Sequence, residues 1–372
     1  MKQKALDKAQ GKWNVAGHHG VRKHAPGQKG QRYCLEWSGA ERNRRLGRAI
    51  RGLMTAPRRI LPGMTYSITR RCLDRRFYLK PTPELQRHIK YVLGQACRRY
   101  GVKLHAVCIM FNHIHLIVTD MRGVLPLFMQ DVFRLISRVV KVERPDIEGP
   151  VFDNRRPCVT ALLTPGSVAQ QLAYVVTNPV TANLVVKHGD YPGLVTHADA
   201  LRGMRERVAR PKDQLLGRPK HATFEITPWR PLEVSEPSRK KRAKQRAHVL
   251  ELAIRLVAER EAASARERRR TGDFAAGPRR LMARHHLDRP EGRPRRSDVV
   301  PALAASDPRV LKQGKRTLRE WRRAYRDARA ALSAKLKAVL PAGSWWLPRQ
   351  NLAEAACLAA GACPIAYYLG FD

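Results

Sequence analysis

Two histidines one residue apart in an otherwise apolar run, Met110-Phe111-Asn112-His113-Ile114-His115-Leu116-Ile117-Val118, constrain this chain more than any other feature. The run is short and rich in β-branched residues, and it reads as a buried strand. Successive side chains of a strand point to opposite faces, so His113 and His115 share one face while Ile114, Leu116 and Val118 pack the other. Burying two imidazoles costs desolvation, which a fold offsets by ligating a cation or by hydrogen bonding. A chain with 13 histidines also produces such a pair by chance, so from this motif alone metal ligands and satisfied core histidines both stand.

The surroundings of that strand define a globular region, taken here as residues 61–200. Thr65-Tyr66-Ser67-Ile68-Thr69 alternates as a first strand, and Pro83 opens a helix with the stripe Leu85, Ile89, Val92, Leu93, Ala96 and Tyr100, closed by Gly101. A strand over 103–110 turns at Phe111-Asn112 into the histidine strand. Residues 124–142 form a second helix with Phe128, Val132, Leu135, Ile136 and Val139 on one side. Residues 151–163 read as a fourth strand, and Thr164-Pro165 begins a short third helix expected to stop at Asn178, because Pro179 disfavours the helical region for its predecessor. The order β-α-β-β-α-β-α predicts an α+β fold of the ferredoxin-like or RNA-recognition-like class, an antiparallel sheet with helices on one face.

Outside this region, charge dominates. Lysine and arginine number 72 against 31 acids, a formal net charge of +41, and a compact body so charged repels itself unless it meets a polyanion. Nucleic acid is the expected partner. No apolar run is long enough for a membrane span and no signal-peptide core follows Met1, which leads to the expectation of a cytoplasmic protein with no membrane partner. Seven scattered cysteines without a C-x-x-C pair indicate reduced thiols. Residues 1–60 read as a basic, largely disordered arm, apart from a short amphipathic helix around Glu41 to Met54. Residues 201–245 read as a basic linker and 246–372 as a basic, mostly helical module. Its stripes are Val249, Leu252, Leu256 and Val257, then Leu318, Trp321, Tyr325, Leu332 and Leu336.

On the third helix Tyr174 and Asn178 lie four residues apart and so on one helical face. Alone, Tyr174 reads as a core or rim tyrosine and Asn178 as a C-terminal cap. Their order with the other pieces changes this. Tyr100-Gly101-Val102-Lys103-Leu104-His105-Ala106, then Asn112-His113-Ile114-His115-Leu116, then Ala173-Tyr174-Val175-Val176-Thr177-Asn178-Pro179-Val180 together resemble the single-tyrosine HUH transposases, which include insertion-sequence enzymes and REP-associated tyrosine transposases. The resemblance covers roughly a third of the chain. Phe111, Phe152, Thr181 and Asn183 depart from the family's usual proline, tryptophan, arginine and glycine at those places.

The resemblance implies that His113, His115 and Asn178 ligate Mg²⁺ or Mn²⁺ and that Tyr174 is the nucleophile. It implies a transposase, a metal-dependent single-stranded DNA endonuclease and strand transferase that acts through a 5′-phosphotyrosine at hairpin-bearing ends. Two imidazoles and an amide oxygen are neutral, so the ion keeps its charge to polarise the scissile phosphate. Arg70, Arg71, Arg75 and Arg76 beside the first strand are candidate phosphate contacts, or else a solvated basic edge. Monomer and homodimer both remain open. The rival reading is a non-catalytic nucleic-acid binding protein on the same scaffold. A phosphoesterase with two H-x-T motifs fits poorly, because the core holds one H-x-H and no second copy.

Overall fold

A computed structural model describes residues 57–211, 219–231, 239–290, 301–334, 336 and 338–345. The basic arm, apart from its last residues, and the helix expected around Glu41 to Met54 lie outside the described residues. From residue 57 onward the described chain falls in one compact unit.

Its first strand, β1 (Met64–Arg71), is central. The helix α1 (Pro83–Tyr100) begins where the Thr82 side chain accepts a hydrogen bond from the Leu85 N–H at 3.0 Å, with Pro83 at the first turn. It ends at Gly101, whose φ of 67° suits a residue without a Cβ. β2 (Val102–Met110) and β3 (His113–Asp120) form a hairpin, followed by α2 (Leu125–Glu143), β4 (Cys158–Leu162) and α3 (Pro165–Thr181). β3 pairs antiparallel with both β2 and β1, and β1 pairs antiparallel with β4. The fourth strand is shorter than 151–163; Phe152 makes only an isolated bridge to Cys72.

The strand pleat sorts the core. Tyr66 and Ile68 of β1 and Ile114, Leu116 and Val118 of β3 are buried with Leu85, Ile89 and Val92 of α1 and Phe128, Val132 and Ile136 of α2. Each such aliphatic side chain contributes about 1.5–3 kcal/mol by leaving water. The other face carries Ala106, Cys108, Met110 and Ile117, packed with Val168, Leu172, Val175 and Val176 of α3. Helices therefore cover both faces, not one. The long helix α4 (Arg239–Thr271) adds Val249, Leu250, Ala253 and Val257 to that second core.

α3 does not stop at Asn178. It continues to Thr181 with Pro179 inside, because proline's fixed φ is compatible with the last turn and only the bond from the missing N–H is lost. The Ala182 N–H still reaches the Asn178 carbonyl at 3.0 Å, and Asn183 closes the helix at φ 56°.

The stretch expected as a linker, 201–245, instead contains an antiparallel hairpin, β5 (Met204–Ala209) and β6 (His221–Ile226). Ala222, Phe224 and Ile226 alternate inward and join the core on α1 and β2. The hairpin approaches α1 closely at Gly94, where a Cβ would stand 2.5 Å from the Thr223 carbonyl oxygen. The described part of the C-terminal region is also integral. After α5 (Pro278–Ala283), β7 (Leu303–Ala304) pairs parallel with β4, completing a five-stranded sheet of order β2-β3-β1-β4-β7. α6 (Pro308–Ser333) buries Leu318, Trp321 and Tyr325 in the first core, whereas Leu336 lies beyond the helix and is exposed.

A one-directional hydrogen-bond chain ties the segment after β6 to the sheet. Trp229 Nε1 donates to Thr65 Oγ1 at 3.0 Å, Thr65 and Thr119 share a bond of 2.8 Å, Thr119 Oγ1 meets His105 Nε2 at 2.8 Å, and His105 Nδ1 donates to the Thr227 carbonyl at 2.7 Å. Burial pushes the His105 pKa down to about 4, so the ring is neutral and accepts from Thr119.

Gly94→Ala should destabilise the protein by about 1–3 kcal/mol in urea unfolding, since the overpacking at Thr223 outweighs alanine's better helix propensity. Because the folded pKa of His105 lies below the unfolded value, its contribution is present above about pH 6.5 and is lost as pH falls toward about 4. The stability advantage of the wild type over His105→Gln should therefore shrink by about 2–3 kcal/mol between pH 7 and pH 4.5, measured by denaturant unfolding across that range.

Candidate active site

Alternation along β3 turns His113 and His115 toward α3. Their rings stand edge to face with centroids 4.7 Å apart. Across the sheet His113 pairs with Arg71 and Met110, and His115 with Thr69 and Cys108. Each Nδ1 has a partner: His113 Nδ1 donates to Asn112 Oδ1 at 2.6 Å, and His115 Nδ1 lies 2.9 Å from Thr69 Oγ1. The tautomer that donates to Thr69 leaves the Nε2 lone pair of His115 bare. That Nε2 atom is buried and has no hydrogen-bond partner. A buried bare nitrogen is costly unless something ligates it.

Burial, reinforced by the Arg71 charge, pushes the His113 pKa down to about 4, and burial holds His115 well below the ordinary histidine value. Both rings are neutral at physiological pH, the protonation state a metal ligand requires.

α3 carries the other two members. It is anchored by a capping box in which Thr164 and Ser167 satisfy each other's backbone N–H groups, and by Ser67 Oγ donating to Gln171 Oε1 at 3.3 Å. One turn beyond Gln171, the Tyr174 ring meets the His115 ring edge to face at 5.5 Å. One turn further, the Asn178 side chain lies near enough to His113 to act on its ring, favouring the charged form against the effect of burial. Asn178 is buried and Tyr174 partly exposed. His113, His115, Tyr174 and Asn178 thus converge on one cluster, with two neutral imidazoles and an amide that fit a divalent cation and a phenol alongside.

The four arginines separate. Arg71 is exposed and acts electrostatically on both histidines. Arg70 lies over the Phe133 and Phe152 rings, at 5.9 and 5.5 Å, and donates to the Arg155 carbonyl. Arg76 donates to the Leu287 carbonyl at 2.7 Å and Arg75 to that of Pro290 at 3.5 Å. These three brace the chain rather than border the histidines.

Sequence reasoning missed Thr69, whose hydroxyl orients His115, and Arg260 of α4, whose guanidinium sits 6.0 Å from the Tyr174 ring centroid. Thr69 was findable from the strand register; Arg260, far away in sequence, was not. The residues that depart from the usual family pattern also have local roles. Phe111 is buried edge-on to Phe77 at 5.7 Å, and Asn183 Nδ2 donates to the Phe274 carbonyl at 3.2 Å.

Residues 61–155 match the family described as "Transposase IS200 like", a span that includes β1 to β3 and the histidine pair and ends before α3. Among solved structures, a REP-associated tyrosine transposase bound to a REP hairpin is 16% identical with a TM-score of 0.34, over 40% of this chain and 86% of that one. A protein provisionally described as a transposase, from Deinococcus radiodurans, is 19% identical with a TM-score of 0.24, over 33% and 95%. A bacterial tRNA(His) guanylyltransferase-like protein in complex with GTP is 15% identical with a TM-score of 0.25, over 39% and 74%. No curated protein matches the chain.

Proposed function

We propose, on the premise that residues 61–155 belong to the IS200-like transposases, that this chain is a transposase whose chemistry is metal-dependent cleavage and rejoining of single-stranded DNA at hairpin-bearing ends. The observation that carries this reading is the buried, unpartnered Nε2 of His115 with the Tyr174 ring 5.5 Å away. His113, His115 and Asn178 would hold Mg²⁺ or Mn²⁺. When bound, such an ion polarises a non-bridging oxygen of the scissile phosphate.

The protein's own groups do the rest. The Tyr174 oxygen bonds to phosphorus as the bond to the 3′ oxygen breaks, the phenolic proton leaves, and the 3′ oxygen takes up a proton. One phosphodiester replaces another, so rejoining reverses the step without ATP. Thr69 fixes the His115 ring, and the capping box and Gln171 fix the helix that aims Tyr174. Arg71 offers charge to the phosphate, and Arg260 lies against the ring that must become anionic. The net charge of +41 favours a polyanionic partner, and among the described residues no helix is long and apolar enough to cross a membrane.

The test is cleavage of end-labelled hairpin oligonucleotides with Mn²⁺ on a denaturing gel. Wild type should release a 3′-hydroxyl fragment and retain the other fragment on protein, and Tyr174→Phe should cut at least about 1,000-fold more slowly. Thr69→Val should keep DNA binding but need about 10–100-fold more Mn²⁺ for half-maximal cleavage. Salt-sensitive binding without cleavage by the wild type would leave a non-catalytic DNA-binding protein, and full activity of Tyr174→Phe would overturn the nucleophile.

A further inference from the structure

The geometry points to a second divalent-cation site, formed by Asp146, His285 and His286, that would fasten the turn after α5 to the end of α2. Asp146 follows α2 by three residues, and the two histidines come two and three residues after α5. One ligand atom from each of the three residues lies within 4.8 Å of the others. His286 Nε2 and Asp146 Oδ2 are 2.7 Å apart, and the two imidazole centroids are 4.2 Å apart at a tilt of 35°. Asp146 and His285 are exposed and His286 is partly so, leaving the cluster open to an ion from solution.

The contact between Asp146 and His286 leaves the His285 ring with one long hydrogen bond of its own, from the Leu287 N–H to Nδ1 at 3.3 Å. A surface pair of that kind contributes about 0–1 kcal/mol, little reason to bring a second imidazole against the first. The turn that presents the rings is well held. The Asp288 carboxylate accepts from the His285 N–H at 2.8 Å, the Asp288 N–H reaches the His285 carbonyl at 3.1 Å, and the Phe77 N–H donates to the Asp288 carbonyl at 2.8 Å. Two nearby guanidiniums are directed at carbonyl oxygens, Arg76 at Leu287 and Arg144 at Tyr78 and Lys80, while Arg284 and Arg289 flank the turn in sequence. Asp288 adds a further negative charge to the same turn.

Two imidazole nitrogens and one carboxylate oxygen suit a borderline cation, Zn²⁺ first and Co²⁺ or Ni²⁺ after it, and leave a position for water. Ligand bonds of about 2.0–2.2 Å let donors at these separations close on an ion through side-chain rotation. The ion replaces the proton between His286 and Asp146. His285 gives up only the contact of its Nδ1 with the Leu287 N–H, at 3.3 Å the long end of a hydrogen bond. The site would fix the chain beyond α4, the helix that carries Arg260, onto the domain that carries the histidine pair.

Titration of the metal-stripped, full-length protein with Co²⁺ and Zn²⁺, read by visible absorption and calorimetry, tests this. The His113→Ala/His115→Ala background removes the other candidate site, so the outcome does not depend on the proposed nuclease. One Co²⁺ per chain should bind with a visible ligand-field band, and His285→Ala, which leaves the Asp146–His286 pair intact, should weaken it at least 10-fold. Asp146→Asn/His286→Ala should abolish the band while circular dichroism stays unchanged. An affinity and spectrum unaffected by both variants would overturn the site and leave an ion pair in its place.

Discussion

The sheet core and the histidine cluster both depend on the pleat of β3. One strand supplies Ile114, Leu116 and Val118 to the core beneath α1 and α2 and, from the alternate positions, His113 and His115 to the opposite face. The register with β1 then fixes what surrounds the histidines: Thr69 beside His115 and Arg71 beside His113. A slip of one residue would bury imidazoles among aliphatic side chains and turn leucine and valine toward the helix that carries Tyr174. The large apolar core on one side is therefore what holds the polar cluster on the other in place.

That second face is where the architecture departs from a sheet with helices on one side only. α3 lies on it, and α4 packs on α3, so the histidines face a helical layer. The layer brings Tyr174 against His115 and Asn178 against His113, and it adds Arg260 from a helix outside the matched family span. The described part of the long basic C-terminal region is accordingly part of the fold. It contributes a strand to the sheet, a helix to each core and a cation to the candidate site.

Much of this was legible in the sequence, for local reasons. Thr82-Pro83 and Gly101 delimit α1 because a cap, a ring-fixed φ and a left-handed residue act within one turn. His113, His115, Tyr174 and Asn178 were legible as two spacings, though not as one cluster without the resemblance. Other features were hidden by competing signals. Arg205, Arg207 and Glu225 mask the alternation of β5 and β6, since on a hairpin lying on α1 the charges occupy the outward positions. Pro179 suggested a helix end, but tertiary burial of Val175, Val176 and Val180 carries α3 past it. β7 is two residues long and exists only because β4 offers an open edge, which no local pattern records. Arg70, Arg75 and Arg76 looked like a solvated basic edge or DNA contacts, and the structure spends them on aromatic rings and carbonyl oxygens.

A strand and a helix, brought together by two separate cores, make one cluster, in which we propose that Tyr174 is the reacting group. The most direct measurement is peptide mapping by mass spectrometry of protein trapped with a hairpin oligonucleotide and Mn²⁺. The account predicts a single deoxynucleotide-phosphate adduct on the peptide that carries Tyr174. An adduct on any other residue, or cleaved DNA with no adduct at all, would contradict it.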